Sequence, residues 1–453
     1  MQDLTTGSVT RHLLKTTSFM LVTMLFQTLY FLVDLYFVGR LGKEAVAAVS
    51  IAGNMAFIVL AATQMLSVGT TTRVAHAIGR KDQTGAVFAA NQSMSLGFAC
   101  GIAFLAIAMS TRLFYADALS ADAGTSALAA RFLFFFIPAL ALQFPMVSMS
   151  AALRGTGNFK PGMIVQTSTV IINIILSPLL IFGVGTGRPL GVRGAAIATF
   201  IALVIGTTWL AFYFRGPHAY LHLRPSQWKP RMSEWAGMLK IGLPAGAEFA
   251  LMSVHLLVVY TVSRPFGAAA QAGFGIGLRV IQACFLPVVA LGIAVAPVAG
   301  QNFAAHKGDR VRATFRAGVM MATAMMVGVA FLSFFFNKPM IGMFSDDPGV
   351  LAVGGEYLQL VAFSFIASGI VFVASSMFQA LGNTVPPLAT SFARVLIVAI
   401  PVILLSRTEG FRLVWVWYIG VASVWLHAAA NLLMLEREFR RRLVTVSADA
   451  GRP

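Results

Sequence analysis

Residues 156–161 read TGNFKP, and 225 positions later residues 381–386 read LGNTVP. The shared Gly, Asn and Pro have company at the same offset. Leu14-Lys15 returns as Leu239-Lys240, Gly42 as Gly267, Ile51 as Ile276 and Leu66 as Leu291. A 453-residue chain whose second half restates its first reads as a doubled bundle, two lobes with a cavity between them.

Around that repeat, 58% of the residues are hydrophobic and only 11% are charged, against about 25% charged in ordinary soluble domains. Stretches 45–72, 88–111, 132–153, 161–187, 317–337 and 413–435 carry no charge, and each is long enough for the ~20 residues of a spanning helix. None shows the single polar stripe of a soluble core helix. The chain therefore reads as an all-α integral membrane protein, with twelve spans in two six-helix lobes. Helices are predicted near 12–38, 45–71, 88–110, 130–152, 162–184, 191–214, 236–262, 271–298, 315–336, 352–376, 386–406 and 412–434. A doubled membrane bundle is the architecture of a secondary transporter.

The net charge of +17 points to topology rather than to nucleic acid. With twelve spans both termini share a side with the even-numbered loops, and that side holds 21 of the 33 Lys and Arg against 10 on the other. Arg279 and Arg394 fall inside helices. Basic residues concentrate in cytoplasmic loops, so both termini are expected in the cytoplasm, beside anionic headgroups. The first apolar run is too long for a signal peptide and lacks a small-residue cleavage site, so it reads as a retained helix. Cys100 and Cys284 lie in apolar segments and read as small buried residues, with no disulfide or metal spacing.

The expected organisation is a lobe over 1–214, a linker over 215–234, a second lobe over 235–435 and a tail over 436–453. The linker, with Arg215, Gly216, Pro217, Pro225, Pro230 and Arg231, reads as a cytoplasmic hinge or tether. Six helices per half give the halves one orientation, related by a pseudo-twofold along the membrane normal. The basic, then small and polar, tail reads as a frayed cytoplasmic end.

At this point the chain resembles a known family. The stretch 34–42, DLYFVGRLG, followed by Ala-rich 45–50, is similar to the first-loop signature of multidrug and toxic compound extrusion (MATE) transporters. So are 153–161, LRGTGNFKP, 173–183, NIILSPLLIFG, and 191–199, GVRGAAIAT, with 297–303, PVAGQNF, and 379–386, QALGNTVP, as their second-half counterparts. The branch looks like the bacterial DinF-like one. The resemblance implies a multi-pass protein of the bacterial cytoplasmic membrane that expels organic cations or other amphiphiles in exchange for protons or sodium ions.

Asp34 is the sharpest single residue. In FQTLYFLVDLYF, Gln27, Tyr30 and Asp34 are spaced i, i+3 and i+7, which sets them on one helical face. A carboxylate at membrane depth is costly and marks an ion or substrate route. The resemblance also places the family's first-helix acid here. The other reading is a headgroup-level Asp held by Arg40. Asn173 and Ser177 are one turn apart; the resemblance puts Asn and Asp at this spacing, so Ser177 stands where an acid is common. One carboxylate with neutral partners suits a proton, whereas sodium prefers several oxygen ligands. Asn173 reads equally as an interhelical hydrogen bond that packs the bundle.

Glu248 and His255 share a face of the seventh helix. Glu248 reads as a second protonation site, a cation anchor or a carboxylate reaching the interface, and His255 as a relay or a buried, bonded imidazole. The resemblance puts the sodium-coupled branch's seventh-helix acid near Met252, and 357–393 carries no charge where its tenth-helix acid would lie. Arg279 reads as a partner for Glu248, and Arg394 as a side chain reaching the cytoplasmic surface. Phe132, first of the run to Phe136, is a cavity candidate among 37 phenylalanines.

These residues give proton-coupled antiport of cationic or amphiphilic small molecules by a functional monomer in the lipid bilayer. Asp34 would be the protonation site, with Tyr30 and Asn173 exchanging hydrogen bonds with it. Gln27, Ser177, Phe132, Glu248, His255 and Arg279 are candidates for contacting cargo. The alternatives are sodium-coupled drug antiport and flipping of a lipid or polysaccharide precursor. No cofactor, metal or nucleic acid is expected, and no nucleophile elbow, zinc spacing or Walker loop suggests an enzyme.

Overall fold

The computed structural model describes residues 2–120, 122–184, 187–216 and 219–449, with side chains to Leu443 at the C-terminal end. Pro217 of the expected linker and residues 450–453 of the tail lie outside the described residues. The helices in chain order are α1 Val9–Gly39, α2 Lys43–Gly79, α3 Gln83–Leu119, α4 Ala123–Gly155, α5 Lys160–Phe182, α6 Val192–Arg215 and α7 Met232–Ser263. Then come α8 Ala268–Ala304, α9 Gly308–Phe335, α10 Asn337–Gly342, α11 Pro348–Val361, α12 Phe365–Ala380, α13 Val385–Leu405 and α14 Val414–Asp449. Among the described residues twelve helical segments are long and apolar enough to cross a membrane, with α11 and α12 counting as one span, Pro348–Ala380. The all-α, twelve-span, two-lobe expectation holds. Several helices run past their predicted ends, α2 to Gly79 and α14 to Asp449. Charge marks the edge of the apolar slab, not the end of helical hydrogen bonding.

The repeat that opens the sequence is a helix-ending device. Gly157 and Gly382 have φ of 75° and 72°, the left-handed region that glycine occupies without a Cβ penalty. After α4, Gly157 N–H bonds Arg154 O (2.9 Å) and Asn158 N–H bonds Leu153 O (3.1 Å). After α12, Gly382 N–H bonds Gln379 O (2.9 Å) and Asn383 N–H bonds Phe378 O (3.0 Å). This is a Schellman closure in both halves. The same closure ends α2 and α8 at Lys81 and His306, both at φ 59° and themselves 225 residues apart.

Contacts group Phe19–Gly242 into one compact unit, and Leu4–Ser18 with the chain from Leu243 onward into the other. The division falls inside α7, not at the 215–234 connection, and the reason is local. In the first unit the start of α7 lies backbone to backbone on α2. A Cβ on Gly69 would sit 2.4 Å from Met238 O, and one on Gly242 2.1 Å from Met65 O. Small residues permit such an approach in membranes, and Arg73 pairs with Glu234 there.

The connection is not a loose tether. Asn91 Oδ1 on α3 accepts from Arg224 N–H (2.8 Å) and Trp228 Nε1 (3.0 Å), while its Nδ2 donates to His222 O (2.9 Å). Gln92 Nε2 donates to Gln227 O and Lys229 O, and its Oε1 accepts from Arg231 N–H. Two buried amides thus satisfy a run of loop backbone that periodicity reads as free.

In the second unit the N-terminal segment is docked. Leu4 N–H donates to Gln301 Oε1 (3.1 Å), Asn302 Nδ2 to Leu4 O (3.1 Å), and the Arg310 guanidinium to the carbonyls of Leu4, Thr6 and Gly7. Leu4 and Leu13 are fully buried in that unit's core. The start of the tail is not frayed either. Glu438 takes Asn383 Nδ2 (3.0 Å) and pairs with Arg442 (2.6 Å), Glu436 pairs with Arg312 (3.2 Å), and Phe439 is buried.

Candidate functional site

In the first unit, three helices bring a line of side-chain oxygens and amides together. Thr199 on α6 is its centre. Its hydroxyl donates to Ala195 O one turn back (3.1 Å), and its two lone pairs face Tyr30 Oη of α1 (3.2 Å) and Asn173 Nδ2 of α5 (3.1 Å). Asn173 Oδ1 in turn accepts from Ser177 Oγ (3.2 Å). Thr199, Asn173 and Ser177 are buried and Tyr30 is half-buried, and each hydroxyl in the line Tyr30–Thr199–Asn173–Ser177 has a partner. Pro178, next in α5, withholds the N–H that would bond Ile174 O and loosens the helix beside this line.

Asp34 is outside that line. It stands one turn beyond Tyr30 on α1, within electrostatic reach of the phenol. Its Oδ1 is buried and receives no hydrogen bond. A carboxylate oxygen without a donor is uncompensated in a low-dielectric surrounding; a proton or a cationic group supplies what is missing. The Arg40 pairing is not formed, since Arg40 bonds and stacks on Tyr36.

The structure thus gathers Tyr30, Asn173 and Ser177 with Thr199, a residue the sequence reading did not single out, and leaves the Asp34 carboxylate beside them without a donor. Gln27 lies exposed on α1 and outside the cluster. Phe132 is 2% exposed and its ring packs on Phe136 (4.8 Å between centroids). It is core packing, because a ring at that position of α4 faces neighbouring helices.

The second unit corrects three further expectations. Glu248 on α7 does not reach an interface: its carboxylate accepts Ser375 Oγ of α12 (3.1 and 3.0 Å) and Ser391 Oγ of α13 (3.1 Å). Arg279 is exposed on α8 and forms no ion pair with Glu248. Arg394 lies midway along α13, its Nε buried without a partner, within electrostatic reach of His255, Tyr357 and His427. From mid-helix its stem is too short to reach the surface. His255 is half-buried on α7. Met252, where the sodium-coupled relatives' acid was expected to align, is 50% exposed. Among the described residues no group of three or more His, Cys, Asp or Glu side chains is placed to hold a metal ion.

Comparison with known proteins decides the family. A family profile described as MatE matches residues 20–179 and 244–405, one match in each half of the chain. The chain belongs to the MatE family. It is therefore a multi-pass membrane transporter and not an enzyme. Similar proteins include one from Thermotoga maritima named as a probable multidrug resistance protein, NorM. It is 24% identical over 407 residues, 90% of this chain and 86% of its own length. The multidrug export protein MepA of Staphylococcus aureus is 27% identical over 368 residues, 80% of each chain. Among solved structures, a MOP superfamily transporter from Pyrococcus furiosus superposes with a TM-score of 0.88, at 21% identity and over 98% of both chains. That likeness shows that the MatE transporter shares its fold.

Proposed function

We propose that this transporter exports cationic or amphiphilic small molecules across the bacterial cytoplasmic membrane in exchange for protons, with Asp34 as the protonation site. One observation carries the reading: the buried Asp34 Oδ1 has no hydrogen-bond donor, beside a line of neutral groups already satisfied by one another. With a single carboxylate and neutral neighbours, the site offers one negative charge to one monovalent guest, and the dehydrated proton fits it better than a sodium ion wanting several oxygens. In the outward-open state a proton from outside loads Asp34, and the neutral acid then donates a hydrogen bond where the carboxylate accepted none. Tyr30 and Asn173 re-pair, Pro178 supplies the give in α5, and bound cargo loses its counter-charge and leaves. The loaded protein then turns to the cytoplasm, where proton release restores the charge that receives new cargo. The proton gradient supplies the differential free energy between the two facing states.

The names of the Thermotoga and Staphylococcus relatives, a probable multidrug resistance protein and a multidrug export protein, support drug export. Expression in a bacterium stripped of its own exporters tests the reading. The parent chain should raise the concentration of a lipophilic dye cation that cells survive, and Asp34→Asn, at equal protein level, should not. Equal protection by both would reject Asp34 as the coupling site, and no protection by either would reject the cargo class.

A further inference from the structure

The second unit holds a buried acid that the Asp34 mechanism does not use, and it is wired. Glu248 on α7 is held by two hydroxyls, Ser375 Oγ on both carboxylate oxygens (3.1 and 3.0 Å) and Ser391 Oγ on Oε1 (3.1 Å). Ser391 Oγ also lies 3.5 Å from His427 Nε2 of α14. His427 is 5% exposed, and its second ring nitrogen, Nδ1, is buried and receives no partner. A carboxylate, a hydroxyl and an imidazole in hydrogen-bonded sequence are the three parts of a proton wire, because a hydroxyl can accept one proton while giving up another. We infer that Glu248, Ser391 and His427 form a second proton site, in which His427 collects a proton and Ser391 passes it to Glu248.

The hop balances. Imidazolium His427 gives its Nε2 proton to Ser391 Oγ while the Ser391 hydroxyl proton goes to Glu248 Oε1. The products are a neutral carboxylic acid and a neutral imidazole protonated at Nδ1, with Ser391 unchanged. The reverse sequence returns the proton. Ser375 holds the second Glu248 oxygen and keeps the carboxyl oriented toward Ser391.

Among the described residues, charged and titratable groups near this wire come from α7, α11, α13 and α14. Arg394 of α13 is the fixed cation, acting on His427, on His255 of α7 and on Tyr357 of α11. From α12 the hydrogen-bond partner is the neutral Ser375, and no ion pair involves Glu248 among the described residues. Arg394 Nε and Asn431 Nδ2, one turn beyond Ser391 and His427 on the same helices, are also buried without hydrogen-bond partners.

The inference deepens the proton-coupled reading by adding a second proton to the cycle, and it rests on that reading for its use. Its test does not. Purified Asp34→Asn protein in lipid nanodiscs is stepped in pH while the carboxylic C=O stretch is followed by infrared difference spectroscopy. A carboxyl band that titrates in Asp34→Asn and vanishes in Asp34→Asn with Glu248→Gln is expected. Ser391→Ala removes no titratable group. It should keep the band and slow its appearance about tenfold or more, as should His427→Asn. A folded Asp34→Asn protein without a titrating carboxyl band overturns the inference. So does a band that survives Glu248→Gln, one that appears as fast in Ser391→Ala as in its parent, or one that follows sodium at fixed pH. If Glu248→Gln does not fold, the Ser391→Ala rate decides. No drug movement is measured, so a failure of the export reading leaves this result standing.

Discussion

Thr199 shows how a member of the candidate site escapes a sequence. A hydroxyl within an apolar helix normally bonds its own turn, as Thr199 does to Ala195 O, and nothing in the pattern reveals that its lone pairs also serve two other helices. Asp34, Tyr30, Asn173 and Ser177 were legible because a polar group in a long apolar run is conspicuous. Phe132 and Arg394 were misplaced for the converse reason: in a helix that is apolar nearly all round, periodicity tells neither which face packs nor where a lone polar group ends up. Replacing Thr199 with Val keeps the shape and removes the shared acceptor. It should cost about 1–3 kcal/mol of stability by stranding Tyr30 and Asn173, visible as a lowered melting temperature, and should slow export. Ser177→Ala deletes only a terminal donor and should cost about 1 kcal/mol or less. If the two variants melt alike, Thr199 is not the hub.

At the scale of elements, the repeated GN step was legible and its cause became clear only as geometry, a left-handed residue closing a helix twice. Gly382→Ala should destabilise by about 1 kcal/mol through the φ of 72° it must hold. The connection after α6 was misread as a tether because composition sees prolines and charges, not the two amides on α3 that bind its backbone. Asn91→Ala strands the Arg224 N–H and the Trp228 indole and should cost about 1–3 kcal/mol, with faster proteolysis within 219–231 as the readout. Gly242→Ala drives a Cβ against the Met65 carbonyl and should cost about 1–3 kcal/mol by overpacking. A melting temperature equal to the parent's would show that α7 and α2 are not held together there.

For the whole molecule, composition and the 225-residue repeat were enough to give the membrane class, the span count and two lobes. They did not give the boundary, because the units divide by contact and α7 changes company within its own length. The excess of Lys and Arg on one side, 21 against 10, predicts that both termini lie in the cytoplasm. A C-terminal fluorescent protein should therefore glow, and a C-terminal alkaline phosphatase should stay inactive; active phosphatase would invert the topology and with it the direction of coupling. The coupling itself is tested most directly in sealed vesicles holding the purified protein and a fluorescent lipophilic cation, under a proton gradient or a sodium gradient imposed separately. Uphill movement is expected under the proton gradient alone, and it should be lost in Asp34→Asn. Uphill movement driven by sodium, or an Asp34→Asn protein that still concentrates the dye, would contradict it.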